Sequence, residues 1–128
     1  MKAPVWILRE TVIAIHERLL AEFGGAPGIR DEGLLDSALA RPVNLLAYGK
    51  PSVFELAASY TFGLVKNHPF VDGNKRIGFA AAIVFLEINS RRFSAAEADA
   101  VVQTLALAAG AINEAAYGAC IRKNTRRK

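Results

Sequence analysis

Apolar residues recur at helical spacing along most of the chain, with polar residues between them. This pattern predicts helices over residues 5–23, 31–40, 52–67, 73–90 and 94–109, and a last helix after Asn113. The middle of the 73–90 segment is apolar all round, which is typical of a central helix surrounded by others. We therefore predict an all-α fold, a compact single-domain helical bundle with a central buried helix, over residues 1–128.

Short polar signals mark the ends of several helices. Three helices have capping signals at their first turn: Ser52 with Glu55, Ser94 with Glu97, and Asn113. Arg41-Pro42 predicts the end of the second helix, because a residue before proline avoids helical geometry. The next segment, 43–51, has no helical pattern, and we expect a small flap or hairpin there.

The positive charge is concentrated at one end of the chain. The net charge is +4, and five positive charges lie within residues 122–128, so the rest of the chain is close to neutral. We expect this tail to be solvated and frayed after the last helix. The alternative is a basic tail that binds nucleic acid or an acidic protein.

Other features limit the class of protein. A single cysteine, Cys120, excludes an intrachain disulfide and a cysteine-based zinc site. The apolar run 77–86 is far shorter than the roughly 20 residues of a membrane span. Glu10 and Glu17 interrupt the N-terminal apolar run, so it lacks the layout of a signal peptide. We therefore predict a cytoplasmic location and no membrane contact.

The segment 68–76, with the sequence HPFVDGNKR, combines several chemical groups in nine residues. His68 ends one predicted helix, and a neutral imidazole there can accept a proton. Asp72 is either a turn residue or an oxygen ligand for Mg²⁺, which takes one or two carboxylates together with phosphates. The other histidine, His16, fits a packed or surface position on the first helix.

The second half of this segment is suited to binding phosphate at the start of the next helix. A helix N-terminus attracts anions because its first N–H groups have no partners and its dipole is positive there. Glycine permits close approach, an amide donates, and cations add charge. The residues of this predicted phosphate cradle are Gly73, Asn74, Lys75 and Arg76.

These residues resemble the Fic/Doc family, whose signature is His-Pro-Phe-x-[Asp/Glu]-Gly-Asn-x-Arg. The segments 23–31 and 33–42 are similar to the Doc (death-on-curing) branch, so the resemblance covers nearly the whole chain. It implies a Fic-like fold in which His68 deprotonates a target hydroxyl and Asp72 holds Mg²⁺ against the phosphates of ATP. It also implies a flap that binds the target backbone by strand addition, here Leu46, Ala47, Tyr48, Gly49 and Lys50.

Two departures from the Fic signature shift the expected chemistry away from AMP transfer. Most Fic enzymes transfer AMP and have glycine where this chain has Lys75, and a second arginine where it has Phe79. Both departures match Doc, which implies transfer of the γ-phosphate of ATP instead. The resemblance therefore implies a toxin that phosphorylates a threonine of a translation factor such as elongation factor Tu and arrests translation.

Two other functions fit the sequence, and the resemblance also implies a partner protein. AMP transfer is the main alternative, and a non-catalytic module that binds a partner or nucleic acid is the other. Many Fic proteins contain an inhibitory [Ser/Thr]-x-x-x-Glu-[Gly/Asn] sequence, which this chain lacks. We therefore expect inhibition in trans by a Phd-like antitoxin, with nucleic acid contacted only through the antitoxin complex.

Overall fold

The computed structural model describes residues 3–95 and 97–128, and within them the all-α fold class is confirmed. The described residues form six helices and two short strands that pair as a ribbon. The elements are α1 (Arg9–Phe23), α2 (Glu32–Ala47), α3 (Val53–Asn67), α4 (Asn74–Ile88), β1 (Arg91–Phe93), α5 (Glu97–Ala109), α6 (Glu114–Lys123) and β2 (Thr125–Arg127). Over the same residues, no helix is long and apolar enough to cross a membrane.

The central helix is α3, where the sequence had predicted α4. Ten of the fifteen residues of α3 are buried, and α3 packs against α2, α4, α5 and α6. In α4, by contrast, Phe79, Ala80, Ile83 and Val84 are only half-buried. The prediction for α4 failed because an apolar sequence does not show whether a neighbouring helix covers each face.

Two of the predicted caps are present in the structure. Ser52 Oγ accepts a hydrogen bond from Glu55 N, and Glu55 Oε1 accepts one from Ser52 N, which makes a complete capping box at the start of α3. Asn113 Oδ1 accepts from Ala116 N at 2.8 Å and caps α6. The predicted capping box of Ser94 with Glu97 lies outside the described side chains.

Helix α2 continues through Pro42, so the predicted helix end at Arg41-Pro42 was wrong. A proline inside a helix removes one main-chain hydrogen bond and usually costs about 3 kcal/mol or more. Here Pro42 is fully buried in the core, so apolar burial offsets part of that loss. Arg41 also ties α2 to its neighbours, because its guanidinium donates to Ser59 Oγ at 3.1 Å and to Glu114 Oε2 at 2.7 Å.

The predicted flap is not a strand and does not lie beside His68. Leu46 and Ala47 form the last turn of α2, and Tyr48, Gly49 and Lys50 belong to the short link to α3. Helices α2 and α3 are antiparallel, since Asn67 at the end of α3 donates to Leu34 O near the start of α2. The 15 residues of α3 therefore separate the link from His68 by about 22 Å.

The basic tail is exposed as predicted, but it is paired instead of frayed. Helix α6 ends at Lys123, and β2 then pairs antiparallel with β1, with Arg91 opposite Arg127, Arg92 opposite Arg126 and Phe93 opposite Thr125. Lys128 forms an ion pair with Glu87 at 2.5 Å. We call these paired strands, with Lys128, the arginine ribbon.

The close packing of α2 on α3 predicts that alanine at Gly63 lowers stability, while alanine at Gly118 does not. A Cβ at Gly63 would lie 3.1 Å from both Cα and O of Ala38, which are backbone atoms, so Gly63→Ala should destabilise the fold by about 1–3 kcal/mol. The control is Gly118→Ala on α6, where the nearest atom would be 3.6 Å away. That change should be neutral or stabilise by up to about 1 kcal/mol, because alanine is the better helix former. Urea unfolding measures both, and equal effects would contradict this account.

Candidate active site

The chemical groups of the predicted site lie in the loop 68–73 that joins α3 to α4. His68 is the C-cap of α3 and has left-handed dihedrals, φ 53° and ψ 52°. A residue other than glycine seldom adopts this conformation, so the surrounding structure must hold it there. The left-handed turn ends α3 at His68 and starts the loop.

Arg30 holds the end of α3 from a distant part of the sequence. Its Nε donates to His68 O at 2.7 Å and its Nη2 donates to Asn67 O at 2.9 Å. The guanidinium therefore satisfies two of the carbonyls that a helix leaves without partners at its C-terminus, and its charge suits the negative end of the dipole. This role of Arg30 was not predicted from the sequence, although Arg30 lies in a segment that resembles Doc.

The main chain of residues 28–31 pairs with the loop. The N–H groups of Arg30 and Asp31 both donate to Pro69 O, at 2.7 and 3.0 Å, and Val71 N donates to Gly28 O at 3.0 Å. Ile29 and Phe70 form an antiparallel bridge. The segment before α2 thus fixes the loop on one side.

Phe70 and Asn74 anchor the loop in the core. Phe70 is 1% exposed, which confirms its interpretation as a hydrophobic anchor. Asn74 is also buried; its Oδ1 accepts from Phe70 N and its Nδ2 donates to Phe70 O, both at 3.0 Å. The side-chain amide of Asn74 therefore braces the loop and is not free to bind a phosphate. A phosphate contact of Asn74 would be made by its main-chain N–H.

His16 of α1 is buried against the same loop, as the packed alternative predicted. Its Nε2 lies 2.7 Å from Asp72 O, and its ring stacks on Phe70 with centroids 3.7 Å apart. A backbone carbonyl only accepts, so the Nε2 of His16 donates. The contact between His16 and the loop was not predicted from the sequence, because His16 and Asp72 are 56 residues apart.

The carboxylate of Asp72 is held by main-chain donors. Its Oδ1 accepts from Gly73 N at 2.8 Å and its Oδ2 accepts from Ala26 N at 3.3 Å. These two bonds lower the pKa of Asp72, and the nearby charge of Arg76 acts in the same direction. The carboxylate is exposed and ionised near neutral pH. Gly73 then starts α4 with φ 78°, a left-handed conformation that favours glycine.

A cleft of about 700 Å³ brings the predicted site residues together. Its polar edge contains every predicted base, metal and phosphate residue: His68, Asp72, Gly73, Asn74, Lys75 and Arg76. Its apolar wall is made by residues of α1, α4 and α5, including Phe23, Phe79 and Leu105. None of the predicted flap residues lines it. A groove of about 790 Å³ between α2, α3 and α6 contains none of the motif residues.

Arg76 and Phe79 are placed by aromatic contacts. The guanidinium of Arg76 lies over the ring of Phe23, with Cζ 4.7 Å from the centroid. Phe79 lines the cleft and also packs edge-on against Phe93 of β1, with centroids 5.8 Å apart. The position where Fic enzymes have a second arginine is therefore a contact between the cleft and the arginine ribbon.

The donor set fits Mg²⁺ only when a phosphate shares the ion. Among the His, Cys, Asp and Glu side chains that the structure describes, no three come together as a metal site. Asp72 offers one carboxylate beside the N-terminus of α4. Mg²⁺ commonly binds through one or two carboxylates plus substrate phosphates, so Asp72 would hold the ion jointly with a nucleotide.

The hydrogen bonds to Asp72 predict its titration. A carboxylate that accepts main-chain N–H bonds is stabilised in its charged form, so Asp72 should titrate below its ordinary pKa of 3.8. Its contribution to stability is present above the unfolded pKa and is lost as the pH falls through the lowered folded pKa. Side-chain carboxyl ¹³C shifts followed against pH measure this, and a midpoint at or above the ordinary value would contradict the geometry.

Known proteins resemble the region that contains this site. The family model of the Fic/DOC family matches residues 6–86. The chain is 46% identical over 76 residues to Toxin Doc of Mycolicibacterium smegmatis, covering 57% of this chain and 58% of that protein. It is 33% identical over 81 residues to Protein kinase doc of Escherichia phage P1, covering 62% and 64%.

The chain thus spans about three fifths of the length of the curated relatives it matches. The names of both relatives confirm the predicted resemblance to the Doc branch. Since the matched region contains the loop 68–73 and most of the two helices that it joins, the chain belongs to the Fic/Doc family.

Proposed function

We propose that this protein transfers the γ-phosphate of ATP to a hydroxyl group of a protein substrate. The observation that carries the proposal is the common cleft, where His68, the Asp72 carboxylate and the N-terminus of α4 face the same space. A base, a Mg²⁺ ligand and an anion site are the parts that phosphoryl transfer needs. The name of the phage relative, Protein kinase doc, supports the same activity.

Each residue has a definite role in this proposal. His68 accepts the proton of the attacking hydroxyl, while Arg30 holds its main chain. Asn74 binds the phosphates through its main-chain N–H, Lys75 and Arg76 bind them through their charges, and Gly73 permits their close approach. Mg²⁺, held by Asp72, would neutralise phosphate charge when it is bound. Catalysis is then mainly positioning and charge neutralisation.

Lys75 and Phe79 favour γ-phosphate over AMP transfer. Lys75 is exposed at the first turn of α4 and adds a cation where glycine would leave space. Phe79 places an aromatic ring in the cleft where a second arginine would clamp the far phosphates. The nucleotide is therefore held by cations at one end of the cleft only, and the resemblance to Doc implies that this orientation presents its γ-phosphate to His68.

The wider role follows from the relatives and from the family resemblance. We infer a toxin of the cytoplasm, where ATP is available, controlled in trans by a Phd-like antitoxin; the name Toxin Doc of the mycobacterial relative supports this. Its substrate would be a threonine of a translation factor such as elongation factor Tu, whose phosphorylation arrests translation.

Incubation with labelled ATP tests the reaction. Label from the γ-position should enter the target protein, and His68→Ala should lower the rate by a factor of about 10²–10⁴, as for loss of a general base. Asn44→Ala is the control, because Asn44 is exposed and lines the groove between α2, α3 and α6, away from the motif residues. Label from the α-position alone would overturn the proposal in favour of AMP transfer, and unchanged transfer by His68→Ala would remove His68 from its role.

The arginine ribbon favours a second function, binding to nucleic acid. Like charges directly opposite on paired strands destabilise a ribbon, yet Arg91 faces Arg127 and Arg92 faces Arg126. None of the four pairs with any acidic side chain that the structure describes. A bound phosphate backbone would relieve this repulsion, and arginine can engage two phosphate oxygens at once.

The salt dependence of DNA binding tests this second function. If the ribbon contacts phosphates, the double variant Arg126→Gln with Arg127→Gln should reduce the slope of log K against log salt by about 2 for duplex DNA. Lys50→Gln, an exposed cation in the α2–α3 link, is the matched control. Fluorescence anisotropy measures both, and a wild-type protein that binds no DNA at low salt would eliminate this function.

A further inference from the structure

We propose that His16 is a positioning residue of the active site: it orients the peptide group between Asp72 and Gly73 and thereby aims the Asp72 carboxylate into the cleft. The consequence for Mg²⁺ and nucleotide rests on the proposed function. The orientation of the peptide itself does not depend on that function and has its own test.

A hydrogen bond joins His16 to the main chain of Asp72. His16 is 2% exposed, and its Nε2 lies 2.7 Å from Asp72 O. The carbonyl can only accept, so the imidazole must carry its proton on Nε2. This short, buried contact joins the middle of α1 to the loop.

The imidazole ring of His16 is packed between two residues of the loop. The imidazole stacks on Phe70 with the planes 15° apart, and a Cβ added to Gly73 would lie 3.4 Å from Nε2. The imidazole ring therefore lies between Phe70, which anchors the loop, and Gly73, which precedes α4. A flat side chain with a donor at its far edge fills this space and reaches the carbonyl at the same time.

The hydrogen bond from His16 is coupled to the carboxylate of Asp72 through one peptide group. The peptide group after Asp72 offers its C=O to His16, and its N–H, which belongs to Gly73, donates to Asp72 Oδ1 at 2.8 Å. A rotation of this peptide would break both bonds together. His16 thus holds the N–H that in turn holds the carboxylate, although His16 does not itself line the cleft.

Two variants separate the donor from the ring. His16→Phe keeps an aromatic ring without a donor, and His16→Gln keeps a donor without the stacking. The Mg²⁺ concentration for half-maximal ATP binding should rise about tenfold in His16→Phe, the factor that corresponds to one hydrogen bond of about 1.4 kcal/mol. In His16→Gln it should stay within about threefold of wild type, because the donor is retained.

Val12→Ala is the matched control for a purely structural effect. Val12 is fully buried on the same helix and lines no part of the cleft, so this variant should melt at a lower temperature with an unchanged Mg²⁺ requirement. The inference is overturned if His16→Phe behaves like Val12→Ala, or if His16→Gln restores nothing relative to His16→Phe.

Measurements on the protein without nucleotide keep the inference separate from the proposed function. Imidazole ¹⁵N shifts of the wild type should show the tautomer protonated at Nε2, and the Gly73 amide should exchange about tenfold faster in His16→Phe. The Val71 amide, which is bonded to Gly28 O, is the internal control. If the wild type binds no Mg²⁺–ATP, the proposed function fails alone; a proton on Nδ1 or unchanged Gly73 exchange overturns the role of His16.

Discussion

The geometry of the candidate active site depends on the burial of Phe70. Its side chain is almost fully enclosed, and three separate parts of the chain meet at it: His16 stacks on its ring, Asn74 binds both of its main-chain polar groups, and Ile29 pairs with it. A short loop with several charged groups would otherwise be mobile, because it has few apolar contacts of its own. One buried ring inside the loop lets the polar groups on either side of it stay exposed and still keep fixed positions.

The cleft exists because α4 is covered incompletely. One face of α4 packs on α3, while its half-buried face with Phe79, Ala80 and Ile83 forms the apolar wall together with residues of α1 and α5. The loop supplies the polar edge at the start of the same helix. A nucleotide has a flat base and charged phosphates, so a wall and an edge of this kind match its two ends. The placement of α3 at the centre, with α4 beside it, is thus what opens the site.

The sequence predicted which residues meet at the cleft better than it predicted the positions of the elements around them. His68, Asp72 and Gly73 come together because they lie in one short loop between two helices, and local spacing is enough to show that. Arg30 and His16 act across 38 and 56 residues, and only tertiary packing brings them to the loop. The helix through Pro42 and the central position of α3 were missed for a related reason, since burial outweighs local preference there.

Phe79 links the chemistry of the cleft to the fold of the tail. The edge-on contact with Phe93 attaches β1 to α4, and β1 is the strand on which the basic end of the chain pairs. An arginine at this position would replace one of these two rings, and the edge-on contact that holds β1 on α4 would be lost. Phe79 in place of a second arginine therefore has two effects: it removes a phosphate contact, and it holds β1 on α4. The same residue that leaves the far end of the cleft without a cation also supports the ribbon that concentrates cations on the outside of the molecule.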